Sequence, residues 1–302
     1  MQNKWYEIEL AVPCEHAEAA AAMLVTRAGF AGCEQRERGG LCHVVVFVQG
    51  ESRDAAEASA AEAAAVLRQS PSLRETSPHG AVRELDPEVW TQNWRRHFAR
   101  HTIGGRIEIV PPWEEASPPS AGVISIVINP GMAFGTGLHE TTSGCLEALI
   151  AHVRAGDRVL DLGCGSAILA IAAARLGASE ALALDNDPVA VEAAQENIDA
   201  NAVAPIVHAA IADDAGDVIA SEANERPFDV VVANILAETL VAMQDRLTRA
   251  VRDGGVLILS GIEASRLAMV QESFVQPGWQ QIDLLERGEW ATLVLHRAPL
   301  AP

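Results

Sequence analysis

The run Val159-Leu-Asp-Leu-Gly-Cys-Gly-Ser-Ala-Ile-Leu169, continued by the alanine-rich stretch Ala170 to Leu176 and by Ala181-Leu-Ala-Leu-Asp185, leaves this chain few choices of fold. A short apolar run bounded by turn residues reads as a strand covered on both faces. A second such run beyond a helix makes a β-α-β unit with parallel strands. Gly163 and Gly165 carry no Cβ, so the turn between strand and helix can be tight and its backbone can approach a ligand. Asp185 ends the second strand, where an acid can accept both hydroxyls of a ribose. The unit is therefore expected to bind a nucleoside.

The turn says which kind. A dinucleotide fingerprint has a third glycine and seats a pyrophosphate on the helix N-terminus. Here the chain reads Gly163-Cys-Gly165-Ser-Ala167, and an acid, Asp161, stands two residues before the first glycine. An acid facing the turn repels a pyrophosphate and attracts a cation. S-adenosylmethionine (SAM) carries a sulfonium and an ammonium, and D-x-G-x-G resembles the SAM site of class I methyltransferases.

The whole chain, 302 residues, is long enough for two domains. Its net charge of −19 disfavours a phosphate backbone as partner and suits a cationic one, although solubility alone would also account for it. Five cysteines without a C-x-x-C pair are expected to be reduced thiols. Neither an apolar leader nor a charge-free span of membrane length is present, which implies a soluble, cytosolic protein.

Read in order, Lys4 to Val12 alternates as a half-buried strand, Glu15 to Arg27 has helical spacing, and Gly32 to Arg38 pairs through Gly39-Gly40 with Val44 to Val48. A helix over Asp54 to Gln69 and a strand over Ala81 to Leu85 complete β-α-β-β-α-β, the ferredoxin-like order. A helix over Glu88 to Arg100 then aligns Trp90, Trp94 and Phe98 on one face, a pattern suited to burial against a neighbour. Ile103 to Val110 and Val123 to Ile128 read as strands around an exposed Pro-rich loop. The segment Asn129 to Thr142 places glycines and threonines before a helix over Thr141 to Arg154, where backbone N–H groups can meet a carboxylate; capping by Thr136 or Thr141 is the plainer reading.

Five ordered motifs then carry a resemblance: Pro130-Gly-Met-Ala-Phe-Gly-Thr-Gly-Leu-His-Glu-Thr-Thr142, Asp161 to Leu169, Asp185-Asn-Asp-Pro188, Val230-Val-Val-Ala-Asn-Ile-Leu236 and Leu259-Ser-Gly-Ile262. Together with Trp90, Trp94, Phe98 and Glu289-Trp290 they resemble the bacterial methyltransferases of large-subunit ribosomal protein eleven. The resemblance covers most of the chain from Asp86 to Arg297. It implies an α/β fold: a Rossmann-like, seven-stranded class I sheet with a small N-terminal α+β ferredoxin-like domain. The implied layout is a substrate-recognition domain over 1–85, a connecting helix over 86–100 and a SAM-dependent domain over 101–302. It also implies cofactor contacts at Thr142, Gly163, Asp185 and Asn234, with Phe134, Gly135, Thr136, Asp161 and Gly165 as further candidates. The implied reaction is methylation, up to trimethylation, of lysine side chains and the N-terminal amine of that basic protein. Departures are Ala167 for glycine, Arg100 for proline, Glu263 for an apolar residue, and a long acidic loop over Asp213 to Pro227.

The chemistry sets its own demands. With a pKa near 10.4, roughly one free lysine in a few thousand is neutral at pH 7. The enzyme must strip that proton, at a cost of about 4 kcal/mol, and hold nitrogen, carbon and sulfur in line. Asn234 ends an apolar strand at the edge where open α/β sheets bind ligands, and its carbonyl can accept an amine N–H; a strand-end cap is the alternative reading. His139 and Glu140 are the nearest candidate bases, each equally suited to the helix N-terminus. No metal is needed. A nucleic-acid methyltransferase would share the SAM half but should show a basic face, and a non-catalytic SAM- or protein-binding module would not need Asn234.

Overall fold

Alternation along Lys4–Val12 is that of a strand with one covered face. In the computed structural model it forms β1 (Lys4–Val12), with Ile8, Leu10 and Val12 buried. It pairs antiparallel with β3 (Leu41–Gly50) and β4 (Ala81–Leu85), and β2 (Cys33–Arg38) adds to β3, so the order is β2-β3-β1-β4. The helix α1 (Arg53–Leu67) is capped by the Ser52 hydroxyl, which accepts from the Ala55 N–H at 3.3 Å. Its Ala60, Ala63, Ala64 and Leu67 share a core with β1 and β3. This is the ferredoxin-like arrangement.

The structure describes residues 4–17, 20–21, 23–24, 33–38, 40–50, 52–70, 73, 81–85, 99–114, 122–129, 137–212 and 226–299. Most of the helix expected before Arg27, and residues 88–98 of the one expected over Glu88 to Arg100, Trp90, Trp94 and Phe98 among them, lie outside these residues; Ala99 and Arg100 are described and are not helical, which corrects the expected helix end. The chain divides into two units, Met1–His97 and Phe98–Pro302.

The expectation of five free thiols is corrected here. Cys14 and Cys42 are joined in a disulfide, and Cys33, Cys145 and Cys164 are free. The β1–β3 register sets Val12 opposite Cys42, which brings a residue just beyond the strand end within reach. That register is a property of the sheet, not of cysteine spacing.

The second unit opens with another correction. Ile103 to Val110 is not one strand but a hairpin of β5 (His101–Ile103) and β6 (Ile107–Val110), turned through Gly104 and Gly105 at φ 57° and 63°. β7 (Ile124–Val127) pairs parallel with β6. Arg100, where proline was expected, is explained by Glu108: that carboxylate is buried on β6, and Arg100 reaches it at 2.8 Å.

The main sheet comprises β8 (Arg158–Leu162), β9 (Glu180–Asp185), β10 (Val207–Ile211), β11 (Phe228–Asn234), β12 (Val251–Glu263), β13 (Trp279–Arg287) and β14 (Trp290–Arg297). Its order is β10-β9-β8-β11-β12-β14-β13, parallel except for β14. Both faces are covered. Val159, Val230 and Val232 face α2 (Glu140–His152), α3 (Ile168–Leu176) and α4 (Pro188–Ala200). Leu160, Leu162 and Val231 face α5 (Ala237–Ala242), α6 (Gln244–Ala250) and α7 (Leu267–Phe274). Because successive side chains enter opposite cores, the central strand reads as an unbroken apolar run. No described helix is long and apolar enough to cross a membrane.

Candidate active site

The glycine turn is fastened at both ends. The N–H groups of Gly163 and Cys164 donate to the carbonyl of Leu184, at 2.8 and 3.0 Å. Gly163, Gly165 and Ala167 all have left-handed φ, at 71°, 51° and 59°. Asp185 braces the turn from the next strand: Oδ2 accepts from the Gly165 N–H at 2.9 Å and Oδ1 from the Asp187 N–H at 3.0 Å. Each carboxylate oxygen can accept a second hydrogen bond, so Asp185 keeps acceptor capacity for ligand hydroxyls.

Ala167 is where the chain departs from glycine. Its left-handed backbone costs about 1–2 kcal/mol for an L-residue, offset in part by about 0.8 kcal/mol for burying its methyl. That methyl is wholly buried in the core beside Ile168. Glu263, the other departure on this unit, is exposed, so nothing there requires an apolar side chain.

Asp161 lies beneath the turn. It is fully buried, its Oδ2 accepts from the Ala170 N–H at 3.0 Å, and its Oδ1 has no hydrogen-bond partner among the described residues. The carboxylate thereby caps α3, whose N-cap residue, Ala167, has no capping side chain. Burial pushes the Asp161 pKa up to about 7; the Ala170 N–H draws it down and the charge of Asp185 raises it.

A third motif closes on the turn. A Cβ on Gly163 would lie 2.4 Å from Cγ2 of Ile235, and one on Gly261 would lie 2.5 Å from the Ile235 carbonyl oxygen. Two glycines from separate motifs thus clasp Asn234-Ile235-Leu236. Asn234 Nδ2 in turn donates to Thr142 Oγ1 at 3.4 Å, joining the end of β11 to the first turn of α2. His139 is taken up as the N-cap of α2: its Nδ1 accepts from the Thr141 N–H and lies 2.8 Å from the Thr141 hydroxyl. Its ring meets Trp290 edge-on at 5.1 Å. Glu140 occupies the first turn of that helix. Phe134, Gly135 and Thr136 lie outside the described residues.

Beside the turn is a cleft of about 220 Å³ that includes Gly163, Asp185, Asn186, Ala212, Ile235 and Met243 in its lining. An acid with spare lone pairs, a side-chain-free turn and apolar walls fit the ribose and base of a nucleoside. Among the described residues no cluster of metal-ligating side chains is present.

Two residues that were not singled out in the sequence hold this region together. On α4, Asn197 accepts from the Asn129 N–H and donates to the Ser166 carbonyl, both at 3.0 Å. Asn201 grips Val127 through both its N–H, at 2.9 Å, and its carbonyl, at 2.6 Å. They tie β7, which leads into the segment at 130–136, to the glycine turn. The available signal was a pair of poor helix formers spaced i, i+4 beside buried Ile198. Asn197→Ala strands the buried Ser166 carbonyl and releases the N–H of the exposed Asn129, and is expected to cost about 1–3 kcal/mol of stability in urea unfolding. A loss under about 1 kcal/mol would show that water replaces both bonds.

A doubly covered parallel sheet with one antiparallel strand, and an acid-braced glycine turn at its carboxyl edge, define a class I SAM-dependent methyltransferase. The profile of the family described as ribosomal protein L11 methyltransferase (PrmA) matches residues 4–298. The chain belongs to that family. The ribosomal protein L11 methyltransferase of Chloroflexus aurantiacus is 41% identical over 247 residues, covering 75% of this chain and 75% of the relative. That of Bacillus cereus is 39% identical over 217 residues, covering 72% and 68%. The crystal structure of a ribosomal protein L11 methylase from Lactobacillus delbrueckii subsp. bulgaricus is 30% identical, covers 67% of this chain and all of that one, and superposes with a TM-score of 0.58.

Proposed function

We propose that this chain methylates amines of ribosomal protein L11, with lysine side chains and the N-terminal amine as acceptors and up to three methyl groups on each. The observation that carries this is the convergence of Gly163, Asp185 and Asn234 on the carboxyl edge of the sheet, in a member of this family. SAM, when bound, supplies a methyl group activated by its sulfonium. Asp185 receives the ribose hydroxyls, the Gly163 turn accommodates the nucleoside backbone, and Thr142 serves the methionine side, for which Phe134, Gly135 and Thr136 are further candidates by family resemblance. Asn234 then accepts an N–H of the incoming neutral amine and aims its lone pair. The buried Asp161 holds the start of α3, and with it the turn, through the Ala170 N–H.

We further assign substrate recognition to residues 1–85, a connecting helix to 86–100 and SAM binding to 101–302, in the cytoplasm. The net charge of −19 supports a basic protein over an RNA as the partner. Labelled methyl transfer from SAM, run side by side on unmethylated ribosomal protein L11 and on ribosomal RNA, tests the reading. Label in the RNA alone would overturn it.

Leu236 gives a sharper test. It is 57% exposed and sits at the N-cap of α5 with no capping bond. A leucine there is worse than a serine by about 1 kcal/mol. We assign it to the methylene stem of the acceptor lysine, two residues past Asn234. Leu236→Ser is expected to raise Tm while lowering kcat/KM for lysine by about tenfold, the worth of one well-buried apolar contact. A variant that gains stability with kcat/KM unchanged would remove Leu236 from the site.

A further inference from the structure

The first turn of α2 is fastened to the sheet through buried hydroxyl groups. Ser260 on β12 and Thr292 on β14 are buried, and their oxygens lie 2.7 Å apart. Ser260 Oγ donates to the main-chain carbonyl of Thr141 at 3.2 Å. Ser260 Oγ also lies 3.5 Å from the Ala291 carbonyl, the longer of its two carbonyl contacts. A serine hydroxyl has one proton, so when it sits on Thr141 the Ser260–Thr292 bond takes its proton from Thr292, and in that arrangement the relay runs from Thr292 to Ser260 to the helix. Gly144, one turn further along α2, removes any side chain from between: a Cβ there would lie 2.3 Å from Thr292 Oγ1.

Two members of the relay adjoin the site. Ser260 is the register partner of Asn234 on the neighbouring parallel strand. The carbonyl it holds belongs to Thr141, and the next residue, Thr142, receives the Asn234 amide at 3.4 Å. That last distance is at the long end of hydrogen bonding, so a shift of α2 by a few tenths of an ångström would break it. Apolar side chains of the same volume could fill the space, but they would not fix the rotation of the helix to that tolerance.

We propose that Thr292 and Ser260 are positioning residues for methyl transfer, setting the first turn of α2 so that Thr142 meets Asn234. This rests on the reading of Thr142 and Asn234 as cofactor-site residues. The test uses the full-length enzyme and compares Thr292→Val, which keeps the shape and removes the hydroxyl, with Thr292→Ser, which keeps the hydroxyl and removes the methyl. SAM affinity by calorimetry, kcat and KM on unmethylated ribosomal protein L11, and Tm are measured for each, alongside Thr142→Val.

Thr292→Val is expected to weaken SAM binding by about tenfold, with kcat falling in parallel, the usual worth of one buried hydrogen bond. Thr292→Ser should stay within about twofold of the parent in both, although it has lost a buried methyl and melts lower. Packing alone predicts the reverse order, with serine as damaging as valine or more so, and that order would overturn the proposal. If Thr142→Val weakens SAM binding while Thr292→Val does not, the positioning role fails and the reading of Thr142 stands. If neither variant changes SAM binding, the reading of Thr142 fails and the relay's role goes with it.

Discussion

Asn234→Ala is expected to lower kcat on ribosomal protein L11 by about 10²–10³-fold, the usual loss when one preorganised polar group at a reacting centre is removed. The variant also loses the Thr142 contact and is expected to bind SAM about tenfold more weakly, so kcat is read at saturating SAM. Asn234 is half-buried at the end of β11, beside the clasp of Gly163 and Gly261 around Ile235, so its backbone is fixed whatever the side chain. The neutral form of a lysine lies about 4–5 kcal/mol above the ammonium at pH 7. An enzyme that must work on that form gains most from a group that binds it in one orientation. Raising the pH should raise the rate of parent and variant alike, because the supply of neutral amine limits both. A variant rate that recovers fully at high pH would mean that Asn234 acts on the protonation of the amine and not on its aim.

Asp185→Ala should have the second large effect, on the cofactor. The carboxylate has two expected duties, receiving ribose hydroxyls and bracing the turn through the Gly165 and Asp187 N–H groups. Charge-assisted hydrogen bonds contribute about 1.5–3 kcal/mol each, so loss of two predicts SAM binding weaker by about 10²–10⁴-fold. Asp185→Asn separates the duties. An amide retains one acceptor, but its NH₂ faces one of the two backbone donors, so the turn should loosen and affinity should fall by an intermediate amount. Calorimetric titration with SAM checks both, and equal affinities for parent and alanine variant would remove Asp185 from the cofactor site.

Much of this architecture is legible in the residues for a simple reason. β8 lies between two helical layers, so its side chains enter two cores and the sequence shows a short run, Val159 to Leu162, apolar but for Asp161 and ending at Gly163. The strand beside it must then end at Asp185, twenty residues after Gly165, and the two are joined by a hydrogen bond in the fold. The hairpin at Gly104-Gly105 is also written locally, since paired glycines between β-branched runs mark a turn, and a single strand was the poorer reading. What could not be read is what depends on register or on the direction of one side chain. Cys14 meets Cys42 only because β1 and β3 pair as they do. Asp161 turns toward α3, and no spacing rule announces that. Asn197 links Asn129 to Ser166 across three segments of chain, and its side chain looks in the sequence like a surface amide on a helix.

The measurement that bears most directly on the account is the intact mass of unmethylated ribosomal protein L11 after incubation with this enzyme and SAM, with Asn234→Ala as the paired control. The account predicts a ladder of mass gains in whole methyl units, more than three in number, on lysines and the N-terminal amine, and no such ladder with the variant at SAM concentrations that saturate it. An unchanged mass with the parent enzyme, SAM being bound, would contradict it.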